Sequence, residues 1–184
     1  MTKRSFILSA IGKDRPGIAA DVTELIYECG CNLEDSRMTL LGTHFALLIL
    51  LSGQGEGLEE SLKKGCKRLE WEKGLTVFFS ALEAHKDRPF VAAPQPDHEV
   101  RVVGLDRAGI VYRTSRLLAA KQINIVDLNT HIEPAPDSGS PIFVMVMRII
   151  VPKDVQTRTL QTELERLADE LHLEITLTRI IHEE

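Results

Sequence analysis

The hydrophobic positions in the first half of the chain follow two periods in turn. Phe6, Leu8 and Ala10 stand at every second position, which predicts a β-strand with one buried face. The apolar positions that come next recur at helical spacing: Ile18, Val22, Leu25, Ile26 and Cys29. The pattern therefore predicts a strand that leads through a corner at residues 12–18 into an amphipathic helix.

Four more segments complete the first unit. Residues 32–41 and 45–51 are strand-like, residues 56–72 return to a helical period, and residues 75–82 resemble a closing strand. The inward positions of the second helix are Leu58, Leu62, Cys66 and Leu69. The predicted order is strand, helix, strand, strand, helix, strand.

The second half of the chain repeats this pattern. GKDRPGI beginning at Gly12 matches GLDRAGI beginning at Gly104, and a constant shift of 92 residues continues as far as Asp35 and Asp127. Further along the shift becomes 98 residues. The six extra residues fall within residues 133–141, whose Pro, Asp, Ser and Gly content is typical of a lengthened loop. An insertion confined to a loop indicates a duplicated domain.

The repeated order predicts an α+β fold of two ferredoxin-like βαββαβ domains, with antiparallel sheets and helices on one face. We place the domains at residues 1–84 and 98–184, joined by a Pro- and Ala-rich linker at residues 85–97. Since one face of each sheet is uncovered and such units have small cores, we expect the halves to pack together or the chain to form a homo-oligomer. The linker contains another Asp-Arg-Pro at Asp87, but phenylalanine follows it where a corner needs glycine.

The corner between the first strand and the first helix carries the candidate chemistry. Asp14 is a favoured cap that could accept the N–H of Gly17, and Pro16 suits the first helical turn. Gly17 lacks a Cβ and permits close approach by a small ligand. The unpaired N–H groups and positive dipole end of a helix favour a carboxylate or phosphate. A helix cap without any ligand is the simpler interpretation, and both remain open.

Asn32 and Asn124 recur fourteen residues after Ile18 and Ile110, where each second strand begins. This spacing predicts that the amide lies near the opposite edge of the same corner. Asp14, the helix N–H groups and Asn32 could then hold a free amino acid, with its ammonium facing Asp14. A turn residue in the left-handed conformation is the alternative for Asn32.

DRPGI before a helix that ends in GCNLEDSR resembles the ACT domain, a small regulatory module that binds amino acids. The same motifs in tandem, with LLG and LLSG, resemble the glycine cleavage system transcriptional repressor family. That resemblance implies two ACT domains, a cytoplasmic location, a small amino acid such as glycine as ligand, and regulation through a protein partner such as a transcriptional activator instead of direct DNA binding. The second copy has Ala108 and Gln122 where the family has proline and glycine.

The candidate ligand-binding residues lie in the corner and at the start of the second strand of each half. In the first half they are Gly12, Asp14, Arg15, Pro16, Gly17, Ile18 and Asn32. In the second half they are Asp106, Gly109, Ile110 and Asn124.

Composition narrows the function classes. A hydrophobic fraction of 43% and a charged fraction of 27% are typical of a soluble globular protein. The net charge of −5 disfavours nucleic-acid binding by the chain alone. The apolar run at residues 45–51 is too short to cross a bilayer, and the N-terminal residues read as a strand and not as a secretory signal. Three cysteines give no disulfide framework, so we expect a reducing compartment.

The sequence offers little support for a catalytic or metal-binding function. Cys29 and Cys31 form C-x-C with no second pair, and the six histidines are scattered. Glu34 and Asp35 are adjacent and point in different directions, which is typical of a solvated face. We therefore expect no catalytic residue, metal or cofactor. An amino-acid-sensing regulator and a protein-interaction module without a ligand are the two functions that remain.

Overall fold

The computed structural model describes residues 3–82, 94–135 and 139–181 of the chain. The chain divides into two compact units, Met1–Pro89 and Phe90–Glu184, each described by itself below. Most of the predicted linker, including the Asp-Arg-Pro at Asp87, lies outside the described residues.

The first unit contains six elements in the predicted order. They are β1 Arg4–Lys13, α1 Ile18–Glu28, β2 Asn32–Leu41, β3 His44–Gly53, α2 Leu58–Lys73 and β4 Thr76–Ala81. The strands form one sheet in the order β2-β3-β1-β4, with every neighbouring pair antiparallel. Because β1 and β2 both run against β3, they are parallel to each other, and α1 crosses the sheet from the end of one to the start of the other.

The second unit repeats this topology. Its elements are β5 His98–Leu105, α3 Ile110–Ala120, β6 Asn124–Pro134, β7 Pro141–Ile150, α4 Thr157–Leu171 and β8 Glu174–Arg179. The sheet order is β6-β7-β5-β8, which matches the first sheet strand for strand. The predicted fold of two βαββαβ units is confirmed. The extra residues fall at the β6–β7 hairpin, where Ala135 and Ser140 are joined by a backbone hydrogen bond of 2.8 Å.

Alternation along β1 decides which face holds the core. Phe6, Leu8 and Ala10 are fully buried and pack with the inward residues of α1, α2 and β3 in one cluster. Gly12 continues this inward series, and a Cβ built on it would lie 2.6 Å from Cδ2 of Leu75. A side chain at position 12 would therefore displace the side chain of Leu75, and Gly104 has the same relation to Leu173.

The turn between α1 and β2 uses a left-handed residue, but that residue is not Asn32. Gly30 has φ 66° and Asn32 already belongs to β2, so the left-handed alternative for Asn32 is wrong. The residue that corresponds to Gly30 in the second unit is Gln122, which adopts φ 57°. A side chain in this region is strained, whereas glycine is not.

Replacing Gln122 with glycine is expected to stabilise the second unit by about 0.5–1 kcal/mol, because it removes the left-handed strain. The matched change Gly30→Ala is expected to destabilise the first unit by a similar amount. Urea unfolding of the full-length protein measures both. Equal midpoints for Gln122→Gly and the unaltered protein would contradict this account of the turn.

Candidate functional site

The corner at the start of α1 is built around Gly17. This residue is the N-cap of the helix at φ 86°, no side chain caps the helix, and Pro16 lies in the turn before it. The predictions that Asp14 caps the helix and that Pro16 stands in its first turn are therefore wrong. The left-handed glycine delays the helix to Ile18, while the backbone N–H of Asp14 donates to Thr43 O at 2.8 Å, in the β2–β3 turn.

Arg15 belongs to an ion-pair group on the outside of α1. Its guanidinium donates to Asp21, which also pairs with Lys73 Nζ at 3.0 Å. Hydrogen bonds from Lys73 and then from Arg15 lower the pKa of the Asp21 carboxyl below its ordinary value. Arg15 is thus held by its own helix, and any contact it makes with a ligand competes with Asp21.

The rest of the corner is open in both units. Asp14 is exposed, and within residues 3–82 its carboxylate has no hydrogen-bond or ion-pair partner. A Cβ built on Gly17 would find only Arg15 Nη1 at 3.9 Å, and one built on Gly109 would meet nothing within 4 Å. Gly109 keeps the left-handed conformation at φ 99°, although alanine replaces the preceding proline. The shape of the corner therefore depends on the glycine and not on Pro16.

The two isoleucines of the candidate set face the core. Ile18 and Ile110 are 3% and 2% exposed, so their side chains cannot contact a ligand in solvent. The N–H of Ile18 donates to Arg15 O at 3.3 Å within the corner. These residues anchor the first turn of each helix beneath the sites where a ligand could bind.

Asn32 lies at the opposite end of the sheet from the corner. It pairs with Ser52 on β3, whereas Lys13, next to the corner, pairs with His44. Eight residues of β3 separate these positions, which is about 27 Å at 3.4 Å per residue. The prediction that Asn32 borders the same corner is wrong for a single domain, and Asn124, which pairs with Ile150, is equally far from Gly109.

Asn32 instead joins a polar group at the start of β2, which we name the strand-start cluster: Lys3, Asn32, Glu34 and Ser52. Lys3 Nζ lies 2.7 Å from Glu34 Oε1, and the Ser52 hydroxyl donates to the same oxygen. Hydrogen bonds from Lys3 and from Ser52 lower the pKa of Glu34. A register shift between Leu33 and Asp35 produces this arrangement, since a bulge there frees Glu34 from the strand alternation.

A cavity of about 220 Å³ lies at the strand-start cluster, lined in part by Lys3, Asn32 and Ser52. The sequence had indicated a solvated role for Glu34, and neither Lys3 nor Ser52 was singled out. In the second unit the same positions hold Gln95, Val126 and Ile150 beside Asn124. The second copy therefore keeps the amide but loses the charged pair and the hydroxyl.

Nucleophilic and metal chemistry lack a geometric basis in the described residues. The free thiol of Cys66 is buried, and this burial raises its pKa to about 11. Burial also raises the pKa of Cys29 and Cys31. Residues 3–82, 94–135 and 139–181 contain no cluster of His, Cys, Asp and Glu suited to a metal ion. In those same ranges no helix is long and apolar enough to span a membrane.

Comparison with known proteins agrees with the fold described above. Residues 4–80 match the family model of the ACT domain. The crystal structure of an unknown protein from Galdieria sulphuraria has the same fold, with a TM-score of 0.75 and 29% identity, and the match covers 98% of this chain and 100% of that one. The crystal structure of a provisionally assigned glycine cleavage system transcriptional repressor also gives a TM-score of 0.75, at 24% identity over 99% of this chain and 100% of that one.

The ACT-domain match covers the first unit, and the second unit repeats the sheet order of the first. Among curated proteins it is similar to the glycine cleavage system transcriptional repressor of Escherichia coli, with 28% identity over 170 residues that cover 90% of this chain and 85% of the relative. The resemblance predicted from DRPGI and GCNLEDSR is confirmed.

Proposed function

We propose that this protein is a regulatory protein that senses a small amino acid, and that the strand-start cluster of the first domain forms part of the binding site. The observation that carries the proposal is the grouping of an ammonium, an amide and a hydroxyl around one cavity, with the carboxylate of Glu34 bonded to the ammonium and the hydroxyl. A free amino acid carries the two opposite charges that these groups complement. Lys3 would donate to its carboxylate and Glu34 would accept from its ammonium, so that the ligand competes with the Lys3–Glu34 ion pair, and the Asn32 amide can do either.

The corner at the start of α1 can contact the same ligand molecule as the strand-start cluster only if the two groups come from different domains. Asp14 and Asn32 of one domain are separated by most of the length of the sheet, so no single amino acid reaches both. We propose that a second copy of the chain supplies the corner in a homo-oligomer. Asp14 supports this because its exposed carboxylate has no partner in residues 3–82, which leaves it available to an ammonium group.

Glycine is the ligand we propose first, because the E. coli relative is named for the glycine cleavage system. The five heavy atoms of glycine limit the binding free energy to roughly 7–8 kcal/mol, which corresponds to a Kd in the micromolar range at best. A larger amino acid could fit the same cavity of about 220 Å³. The second domain has lost the charged groups around Asn124, so we assign ligand binding to the first domain.

We further propose that regulation passes through a protein partner such as a transcriptional activator. The relative is named a transcriptional repressor, yet a net charge of −5 is unsuited to direct contact with DNA phosphates. A ligand that binds two arrangements of the oligomer with different affinity would change the surface offered to the partner. The proposal includes no catalytic residue, no cofactor and a cytoplasmic location.

Replacing Asn32 with alanine is expected to weaken amino-acid binding about tenfold or more, since the amide makes hydrogen bonds to charged groups of the ligand. Thermal-shift and calorimetric titrations of the full-length protein with each free amino acid measure the effect. Asn124→Ala is the matched control in the second domain and is expected to bind as the unaltered protein does. No response to any amino acid would favour a protein-interaction module without a ligand.

A further inference from the structure

A second polar cavity lies in the second domain, at the end of the sheet where β5 begins. It has a volume of about 570 Å³, within the range of small-molecule sites. His98 is buried at its wall, and the exposed side chains of Lys153 and Arg179 stand at its rim. The first residue of α4, Thr157, also lines it, so the positive end of that helix faces the same space.

The duplication shows which part of this cavity is specific to the second domain. The residues that correspond to His98 and Leu177 in the first domain are Phe6 and Phe79, whose rings stack with centroids 5.4 Å apart. Arg179 corresponds to Ala81, as the strand pairs Phe6↔Ala81 and His98↔Arg179 demonstrate. The stacked phenylalanine pair of the first domain is thus replaced by an imidazole and a leucine, and Ala81 is replaced by a guanidinium.

His98 is held in a fixed orientation. Its Nδ1 lies 2.9 Å from Asp97 Oδ1, and that oxygen also accepts the backbone N–H of Val151 at 3.0 Å. Burial opposes the charge on Asp97, but the hydrogen bonds from His98 and Val151 outweigh it and lower the pKa of the carboxyl. Since Asp97 accepts from Nδ1, Nε2 is the ring nitrogen left for a ligand, and it donates to an anion when the ring carries both protons. Among the described residues, Lys153 and Arg179 form no ion pair that would occupy them.

We propose that this cavity binds a small oxyanion, the carboxylate or phosphoryl group of a metabolite, through His98, Lys153 and Arg179. Two cations and an imidazole line the space together with the carboxylate of Asp97, whose Oδ1 is already bonded to His98 and Val151. Arginine and lysine both bind such groups by charge-assisted hydrogen bonds, and a helix N-terminus adds to the attraction. This site lies in the second domain and is independent of the amino-acid site proposed for the first.

Calorimetric titration of the full-length protein with inorganic phosphate, and separately with succinate at matched ionic strength, tests the proposal. We expect saturable binding of at least one anion, weakened about tenfold or more in Arg179→Ala, which restores the residue of the first domain. The double change His98→Phe and Leu177→Phe refills the cavity with the stack of the first domain and is expected to abolish binding. Arg101→Ala removes an exposed charge from the other face of β5 and is expected to change the Kd by less than about twofold.

The two anions distinguish the sources of the oxyanion group. Binding of phosphate alone assigns a phosphoryl ligand, and binding of succinate alone assigns a carboxylate; either result supports the site. If the double variant fails to fold, Arg179→Ala and Lys153→Ala at the exposed rim still decide the outcome. No saturation by either anion up to about 10 mM, or equal binding by the unaltered and Arg179→Ala proteins, would overturn the proposal. The response to amino acids is expected to be unchanged in Arg179→Ala. A negative result for anion binding can therefore be distinguished from a negative result for amino-acid binding at Asn32.

Discussion

Replacing Phe6 with histidine is expected to destabilise the first domain by about 3–5 kcal/mol, one of the largest effects available from a single substitution in this chain. Phe6 is fully buried and stacks on Phe79, so the change removes both hydrophobic burial and a ring pair. The new imidazole would also lack its partner, because Ser5 stands where the second domain has Asp97. Urea unfolding with the fluorescence of Trp71 as probe measures the loss, since Trp71 is the single tryptophan and lies on α2 of that domain.

Adding Ser5→Asp to Phe6→His is expected to recover part of this stability, because it rebuilds the Asp97–His98 pair of the second domain. The backbone is already suited to the change. Ser5 O accepts the N–H of Leu82 just as Asp97 O accepts that of Ile180, at 2.9 and 2.8 Å. Ser5→Asp alone is the control and is expected to lower stability slightly, since it adds a carboxylate beside Phe6 without a cation. A double variant no more stable than Phe6→His would contradict the role given to Asp97.

The fold was predictable because the hydrophobic positions follow a clear strand period and a clear helical period, and the second half of the chain repeats both. Alternating Phe6, Leu8 and Ala10 identified β1 and its buried face, and the helical period located α1. Repetition after 92 and then 98 residues supplied a second test of each element. The spacing of hydrophobic residues does not determine the conformation of the corner. There the left-handed Gly17 starts the helix without a side-chain cap.

The location of Asn32 could not be predicted from its distance in sequence. Asn32 follows Ile18 by only fourteen residues, but α1 has eleven residues and carries the chain about 16 Å along the sheet. Short separation across a helix therefore places two residues at opposite ends of a domain. Glu34 was missed for a related reason, since its role depends on a bulge that the alternation of β2 does not reveal.

Differences between the two repeats were as informative as their similarities. Matching residues such as Gly17 and Gly109 indicate what the fold itself requires, as their shared left-handed conformation demonstrates. Positions that differ, such as Phe6 against His98, indicate where one copy has a separate role. The strand-start cluster and the cavity of His98 lie at the same end of their sheets, and each has its charged groups in one copy only.

Mixing two binding-deficient variants is expected to restore amino-acid binding, and this is the sharpest test of a site shared between copies. Asp14→Ala and Asn32→Ala each damage one half of the proposed site, so each variant alone is expected to lose most of its affinity. In a mixed dimer, the intact corner of one copy meets the intact Asn32 of the other. With random exchange and an isologous interface, about one quarter of the sites are unaltered.

Calorimetry of the equimolar mixture, after subunit exchange, measures the number of recovered sites. The expected stoichiometry is about a quarter of that of the unaltered protein, with the unaltered Kd, because each recovered site has its full set of groups. A mixture of Asn32→Ala with the double variant Asp14→Ala and Asn32→Ala is the control, since no copy in it retains Asn32. No recovery in the equimolar mixture would contradict a site shared between copies. Full affinity in Asp14→Ala alone would instead confine the ligand to the strand-start cluster.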